Sequence, residues 1–334
     1  MSIRIEEISI NKLFGNKNLR WNLGDVNVLV GKNGKGKSII LKIINSTLQN
    51  KEENELALCK SANIKLSDGR VLSRNNDDEA SAILGGLAKF LLSELTNKND
   101  FNKFIKKQKG KTEEQIKNNL EQIIKNFNSD GTKKPNGYFV EMGKSNEKSQ
   151  YEKINTCYIS TINMNANSNN EVNKSSGEKT TILAMETEGE IVSLLSTPDN
   201  EDDNVQKEND KSHLMSIFNE LFEETEKEIF INNTFSINNK LTERKYEINE
   251  LSSGEKQLIY TLLKVANSNR KNQIILMDEP EISLHLSWQE KLLSSIKKLR
   301  PDSQIIVVTH SPGILMDGWM GCYQEIDDIL SITE

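Results

Sequence analysis

The segment GKNGKGKS, Gly31 to Ser38, follows the apolar run VNVLV (Val26 to Val30) and precedes SIILKIINSTL. Strand, glycine-rich turn and helix, in that order, are the context in which G-x-x-x-x-G-K-[ST] builds an anion cradle. Gly31, Gly34 and Gly36 let successive main-chain amides turn toward one concavity. The helix N-terminus adds its partial positive charge to the same spot. Lys37 is then a point charge for the β- and γ-phosphates of a nucleotide, and Ser38 a hydroxyl ligand for Mg²⁺. Contacts to ATP are expected from Asn33, Gly34, Gly36, Lys37, Ser38 and Ile39.

Hydrolysis needs a second carboxylate for the metal and a group that orients water. IILMDEP supplies both beyond an apolar run, at the strand end where ligands sit in open parallel sheets. Asp278 is expected to hold Mg²⁺ directly or through water, and Glu279 to polarise the attacking water. His310, closing the run in VVTHSP, is expected at the γ-phosphate. His285 in EISLH borders the site or a subunit interface, or caps a helix; His213 reads as a surface residue.

LSSGEKQ, Leu251 to Gln257, supports two readings. Ser252 and Glu255 have the spacing of a capping box before the apolar helix LIYTLLKVA. A serine and a glycine at a helix start also suit a phosphate supplied from elsewhere.

The elements that must position these residues read as α/β at both ends of the chain. QIILMDE (Gln273 to Glu279), the helix LSWQEKLLSSIKKL and QIIVVTH (Gln304 to His310) have the spacing of a crossover in a parallel sheet. The middle differs. TEEQIKNNLEQIIKNF has a capping box and helical apolar spacing, within a segment, 98–134, of ten lysines and five acids. That excess reads as a solvated face or a phosphate-contacting patch. NMNANSNNEVNKSSGEK and the stretch from Glu186 to Asp210, with nine acids and one lysine, read as long loops. SHLMSIFNELFEETEKEIF reads as a helix. The expected division is an ATPase core over 1–75 and 240–334, with a mainly helical, partly flexible inserted lobe over 76–239.

Bulk properties narrow the class. The 334 residues carry 43 Lys plus Arg and 49 Asp plus Glu, a net charge of -6, which does not suggest a dedicated nucleic-acid coat. MSIRIEEISI lacks the apolar core of a secretory signal. No run approaches the roughly 18 apolar residues of a membrane span. Cys59, Cys157 and Cys322 are odd in number and far apart, as expected of thiols in a reducing cytoplasm.

The four motifs together resemble the ATP-binding-cassette (ABC) ATPases, with LSSGEKQ at the place of the signature segment. LSSGEKQ, DEPEISLHLSWQ and THSP are similar to RecF/SMC-like and OLD-type bacterial ATPases, many of them in phage-defence systems. The resemblance covers roughly residues 1–50 and 240–325. It implies a homodimer closed by ATP, in which Ser252 and Gly254 contact the partner's nucleotide while Ser253 and Glu255 occupy variable positions of the signature. A glutamine is expected after a strand in such proteins; CYISTINMNAN (Cys157 to Asn167) is the matching strand and turn, with Asn163 or Asn165 as substitutes. Phe14 and Trp21 are the candidates to stack on adenine. Only 22 residues follow VVTHSP, and neither an Asp-x-Asp pair nor clustered histidines offer a nuclease site, so a separate effector, as in Septu-type systems, is implied. A RecF-like DNA-binding ATPase is the alternative, and a transporter ATPase subunit a third reading. On the phosphate-loop assignment, Lys37→Ala should abolish ATP binding in equilibrium titration; unchanged affinity would remove it.

Overall fold

The computed structural model describes residues 2–51, 53–75, 138–142, 154–160, 164, 170–173, 177, 179–196, 201–271 and 273–332. The chain forms two compact units. One comprises Ile5–Leu23, Lys42–Glu152 and Ile329–Glu334. Its sheet is antiparallel throughout, from β1 (Ile5–Leu13), β2 (Lys17–Asn22), β4 (Ser61–Leu66), β5 (Val71–Asn75), β6 (Tyr138–Met142) and β16 (Leu330–Ile332), in the order β16-β2-β1-β4-β5-β6. Trp21 is buried here, which removes it as an adenine stack, whereas Phe14 is 37% exposed at the β1–β2 turn.

The other unit comprises Met1–Arg4, Gly24–Leu41 and Lys153–Asp328. Its sheet is parallel, in the order β15-β3-β14-β13-β7, from β3 (Val26–Val30), β7 (Asn155–Ser160), β13 (Gln273–Asp278), β14 (Gln304–Thr309) and β15 (Tyr323–Glu325). All six residues of β13 and all six of β14 are buried, as strands covered on both faces must be. Helix α1 (Lys37–Gln49) follows β3.

The boundaries fall elsewhere than expected. Residues 153–239 join the α/β unit because β7 pairs in register with β13, from Asn155 beside Gln273 to Ser160 beside Asp278. Two helices, α2 (Ile182–Leu195) and α3 (Glu201–Leu221), also belong to it. Both pack on α4 (Ser253–Asn267), and α3 also packs on α5 (Leu286–Leu299). The acidic stretch expected as loop is therefore largely helical. On α2, Leu183, Ala184, Thr187 and Leu194 turn inward. On α3, Asp210, Lys211, Leu214, Ile217, Phe218 and Leu221 form one buried stripe, and His213 lies outside it. The expected long helix stops at Leu221; Glu226 turns left-handed (φ 55°) and the chain enters β10 (Lys227–Ile231) of a small antiparallel sheet with β11 (Phe235–Asn239) and β12 (Lys245–Tyr246). A hairpin of β8 (Glu171–Asn173) and β9 (Lys179–Thr181) occurs within the polar run. The helix expected over 112–127 and the lysine-rich segment lie outside the described residues.

Aromatic packing ties α3 to α5: the Trp288 indole donates to Leu221 O at 2.7 Å, and its ring lies 5.5 Å from Phe222. Lower down, the buried Arg300 guanidinium donates to both oxygens of Asp210, at 2.8 and 3.1 Å, and to Ala266 O, so three helices meet on one charge. The cysteines form no disulfide: burial pushes the thiols of Cys59 and Cys157 up to about 11, while Cys322, just before β15, is half-buried. Among the described residues no helix is long and apolar enough to cross a membrane.

Asp210→Ala strands the Arg300 guanidinium in the interior, and removing one partner of a buried pair typically costs about 3–5 kcal/mol. Lys298→Ala breaks the exposed pair with Glu220 (2.8 Å), which should cost about 1 kcal/mol or less. Urea unfolding of both variants checks the contrast; equal losses would mean that Asp210 is not structural.

Candidate active site

Three adjacent strands deliver the site. Asp278 lies beside Val308, Val308 beside Leu29, and Thr309 beside Val30, so β13, β14 and β3 end at one level. Beyond β3 the loop carries Gly34 and Gly36 at φ 78° and 93°, a region that glycine enters without steric cost. Asn33 and Gly34 are exposed, Gly36, Ser38 and Ile39 half-buried, and Lys37 buried.

The Lys37 ammonium donates to Gly31 O at 2.8 Å and to Lys32 O at 3.3 Å, and lies 2.9 Å from His310 Nε2. Glu279 Oε1 is 2.8 Å from that same nitrogen. One ring atom thus faces a cation donor and a carboxylate, and its tautomer selects which of them it bonds. Burial lowers the Lys37 ammonium below its ordinary value, opposed by Glu279, then Asp278 and Glu281. Glu279 sits at φ 49°, and its amide donates to Val308 O at 2.8 Å. The left-handed turn swings its side chain across the end of β14, a strained geometry of the kind concentrated at functional sites.

Ser38 Oγ donates to Asp278 Oδ1 at 2.7 Å. A hydroxyl and a carboxylate oxygen in contact at a helix start are the hard donors that Mg²⁺ uses alongside phosphates and waters. Among the described residues no cluster of three His, Cys, Asp or Glu could hold a metal by itself. Ser38 and Asp278 are of the donor type that would fit Mg²⁺ arriving with a nucleotide.

The signature-like segment opens α4. Ser252 caps α4: its Oγ accepts from Glu255 N at 3.3 Å, and Glu255 Oε2 accepts from Ser252 N at 2.8 Å. Glu255, at a variable position of the signature, is buried, with its other oxygen 2.5 Å from the Lys227 ammonium. Gly254 is also buried, because a Cβ there would lie 2.4 Å from Ser283 O. Ser252 and Ser253 remain exposed. Next to them is a cavity of about 610 Å³, whose lining includes Ser252, Gly254, Glu224, Ser283, His285 and Trp288, and no residue of the phosphate loop. His285 occupies the N-cap position of α5 but makes no cap bond with its side chain; Nδ1 lies 3.0 Å from Ser287 Oγ. In β7 the strand before the expected glutamine position is present, and Asn163 and Asn165 lie outside the described residues.

One residue escaped the reading of the sequence. Glu281, buried behind His310, accepts at Oε1 from Thr309 Oγ1 (2.5 Å), His310 N (3.0 Å) and Ser311 N (3.2 Å). Two residues beyond Glu279, past a proline, it looks like a solvated acid of a turn.

A model of the family described as "AAA domain, putative AbiEii toxin, Type IV TA system" matches residues 26–317. Septu protein PtuA of Bacillus thuringiensis is 35% identical over 132 residues, 36% of this chain and 33% of PtuA. The "Retron Ec83 probable ATPase" of Escherichia coli is 34% identical over 76 residues, 20% of this chain and 14% of that protein. The chain therefore spans a third or less of these curated relatives. Among solved structures, an Smc head bound to the C-terminal winged-helix domain of ScpA superposes with a TM-score of 0.50 at 13% identity, over 94% of this chain and 92% of that one. The fold is that of ABC-type P-loop ATPases.

Gly254→Ala should destabilise the chain by about 1–3 kcal/mol, as overpacking does when the obstacle is main chain. Ser253→Ala, at an exposed position, should stay within about 0.5 kcal/mol. Urea midpoints test this; a silent Gly254→Ala would show that the 279–285 segment yields freely.

Proposed function

Because the chain belongs to the family described as "AAA domain, putative AbiEii toxin, Type IV TA system", we propose that it binds and hydrolyses ATP in the cytoplasm as an ATP-dependent homodimer. The observation that carries this reading is the junction at three strand ends, where Ser38 meets Asp278 at 2.7 Å and His310 meets Lys37 and Glu279 at 2.9 and 2.8 Å. Lys37 and the amides around Asn33 to Ile39 bind the phosphates. Ser38 and Asp278 would hold Mg²⁺, which would supply charge neutralisation for the transferring phosphoryl group. Glu279 orients the attacking water, and His310 contacts the γ-phosphate.

The second copy supplies the signature half. The separation of Ser252 from the phosphate loop supports a site completed in trans, since none of that loop lines the cavity beside Ser252. The cap leaves Ser252 Oγ with a proton to donate, because toward Glu255 N it acts as acceptor. Ser252, Ser253 and the amide of Gly254 then face the partner's nucleotide, and Glu255 orders the helix that carries them. ATP closes the pair and hydrolysis opens it, so that the chemistry serves a change of state.

Local identity to PtuA and to the retron ATPase supports a further assignment, the sensor or regulatory ATPase of an anti-phage defence complex with a separate effector, of which a nuclease is the favoured kind. The test is the native mass of Glu279→Gln protein isolated from its own host, with and without Mg-ATP. That variant should bind ATP without turning it over. An ATP-dependent doubling, lost in Ser252→Arg, is expected, with added protein mass from the effector. An ATP-bound monomer would overturn the trans site. Added mass that proved to be nucleic acid would favour a RecF-like DNA-binding role.

A further inference from the structure

We propose that Glu281 is a positioning residue for His310: its Oε1 clamps the main chain of residues 309–311 and thereby fixes the imidazole between Lys37 and Glu279. The geometry stands by itself; the consequence for turnover rests on the ATPase reading above.

His310 is the first residue beyond β14, where the ladder hydrogen bonds of the strand stop. Its ring is 30% exposed, so packing alone gives it little restraint. Restraint comes from behind. Glu281 is 7% exposed, and a buried carboxylate must find donors. It finds three on one oxygen: the Thr309 hydroxyl at 2.5 Å and the successive amides of His310 and Ser311 at 3.0 and 3.2 Å. Oε2 is buried with no hydrogen-bond partner among the described residues, so the loop is what Glu281 serves.

A second clamp acts on the same pair of segments. Ser311 Oγ donates to Gln289 Oε1 at 2.7 Å, and Gln289 Nε2 donates to Leu284 O at 2.9 Å. The loop after β14 is thus tied at 309–311 to residues 281–284. Those residues also carry Ser283, whose carbonyl meets Gly254 at the start of α4.

The experiment compares Glu281→Ala with Glu281→Gln in the full chain. Glutamine keeps an acceptor oxygen for the three donors; alanine keeps none. The protein has three histidines, so the His310 ring resonances in a histidine-labelled sample are identified by their loss in His310→Ala. Glu281→Ala should move the His310 resonances, leaving those of His213 and His285 in place, and Glu281→Gln should leave all three near wild type. ATP turnover should fall about tenfold or more in Glu281→Ala and less than about threefold in Glu281→Gln, each with unchanged ATP affinity. Should Glu281→Ala fail to fold, Thr309→Ala removes one donor and should give a smaller shift of the same resonances. An unmoved His310, a glutamine as damaging as alanine, or ATP affinity falling in step with turnover would each overturn the proposal. A wild-type chain without turnover would remove the ATPase reading, and the ring resonances would still decide where Glu281 holds His310.

Discussion

Three parallel strands that end at one level are the constraint on which the chemistry depends. β13 and β14 are buried along their whole length, so no polar group can leave them until their last residues. The register then places Asp278, Thr309 and Val30 within a residue of the same height. Because the strands are hydrogen-bonded to one another, a shift in one moves acid, histidine and phosphate loop together. The left-handed turn at Glu279 converts a strand direction into a sideways reach, which brings its carboxylate to a ring emerging from the neighbouring strand.

Helix α4 meets a different demand. Nearly all of it is buried, yet Ser252 and Ser253 at its start are exposed. The capping box resolves the conflict by satisfying early amides from within the segment, and Lys227 balances the buried Glu255. Gly254 lets the 279–285 segment lie directly on the helix start. Capping and phosphate recognition were alternatives on paper; in the folded chain the cap is what holds the helix start in shape.

Legibility followed locality. The strand Val26–Val30 and the helix Leu286–Leu299 were readable to the residue because short patterns determine them. Glu186 to Asp210 was not, since its inward stripe is sparse, its outer face is acidic, and Asp210 itself is buried by a partner 90 residues away. The strand at Lys227–Ile231 was read as helix, its alternation being too short to compete with the helical period before it. The antiparallel sheet joins β1 to β4 and β16 to β2 across long separations, which no local pattern encodes. Glu281 was hidden for the same reason: its partners, Thr309 to Ser311, lie some thirty positions on.

The unequal burial of the three thiols has a practical consequence. Cys59 and Cys157 are held as protonated thiols far above neutral pH, and alkylating reagents attack the thiolate. Cys322 is raised too, but it is half-buried and borders β15, the strand beside the one that leads into the phosphate loop. A maleimide dye should therefore settle at one place without any cysteine being removed. The natural protein thus brings its own attachment point for a fluorophore or spin label, one residue before the Tyr323–Val28 pair, at the end of the sheet where β3 begins.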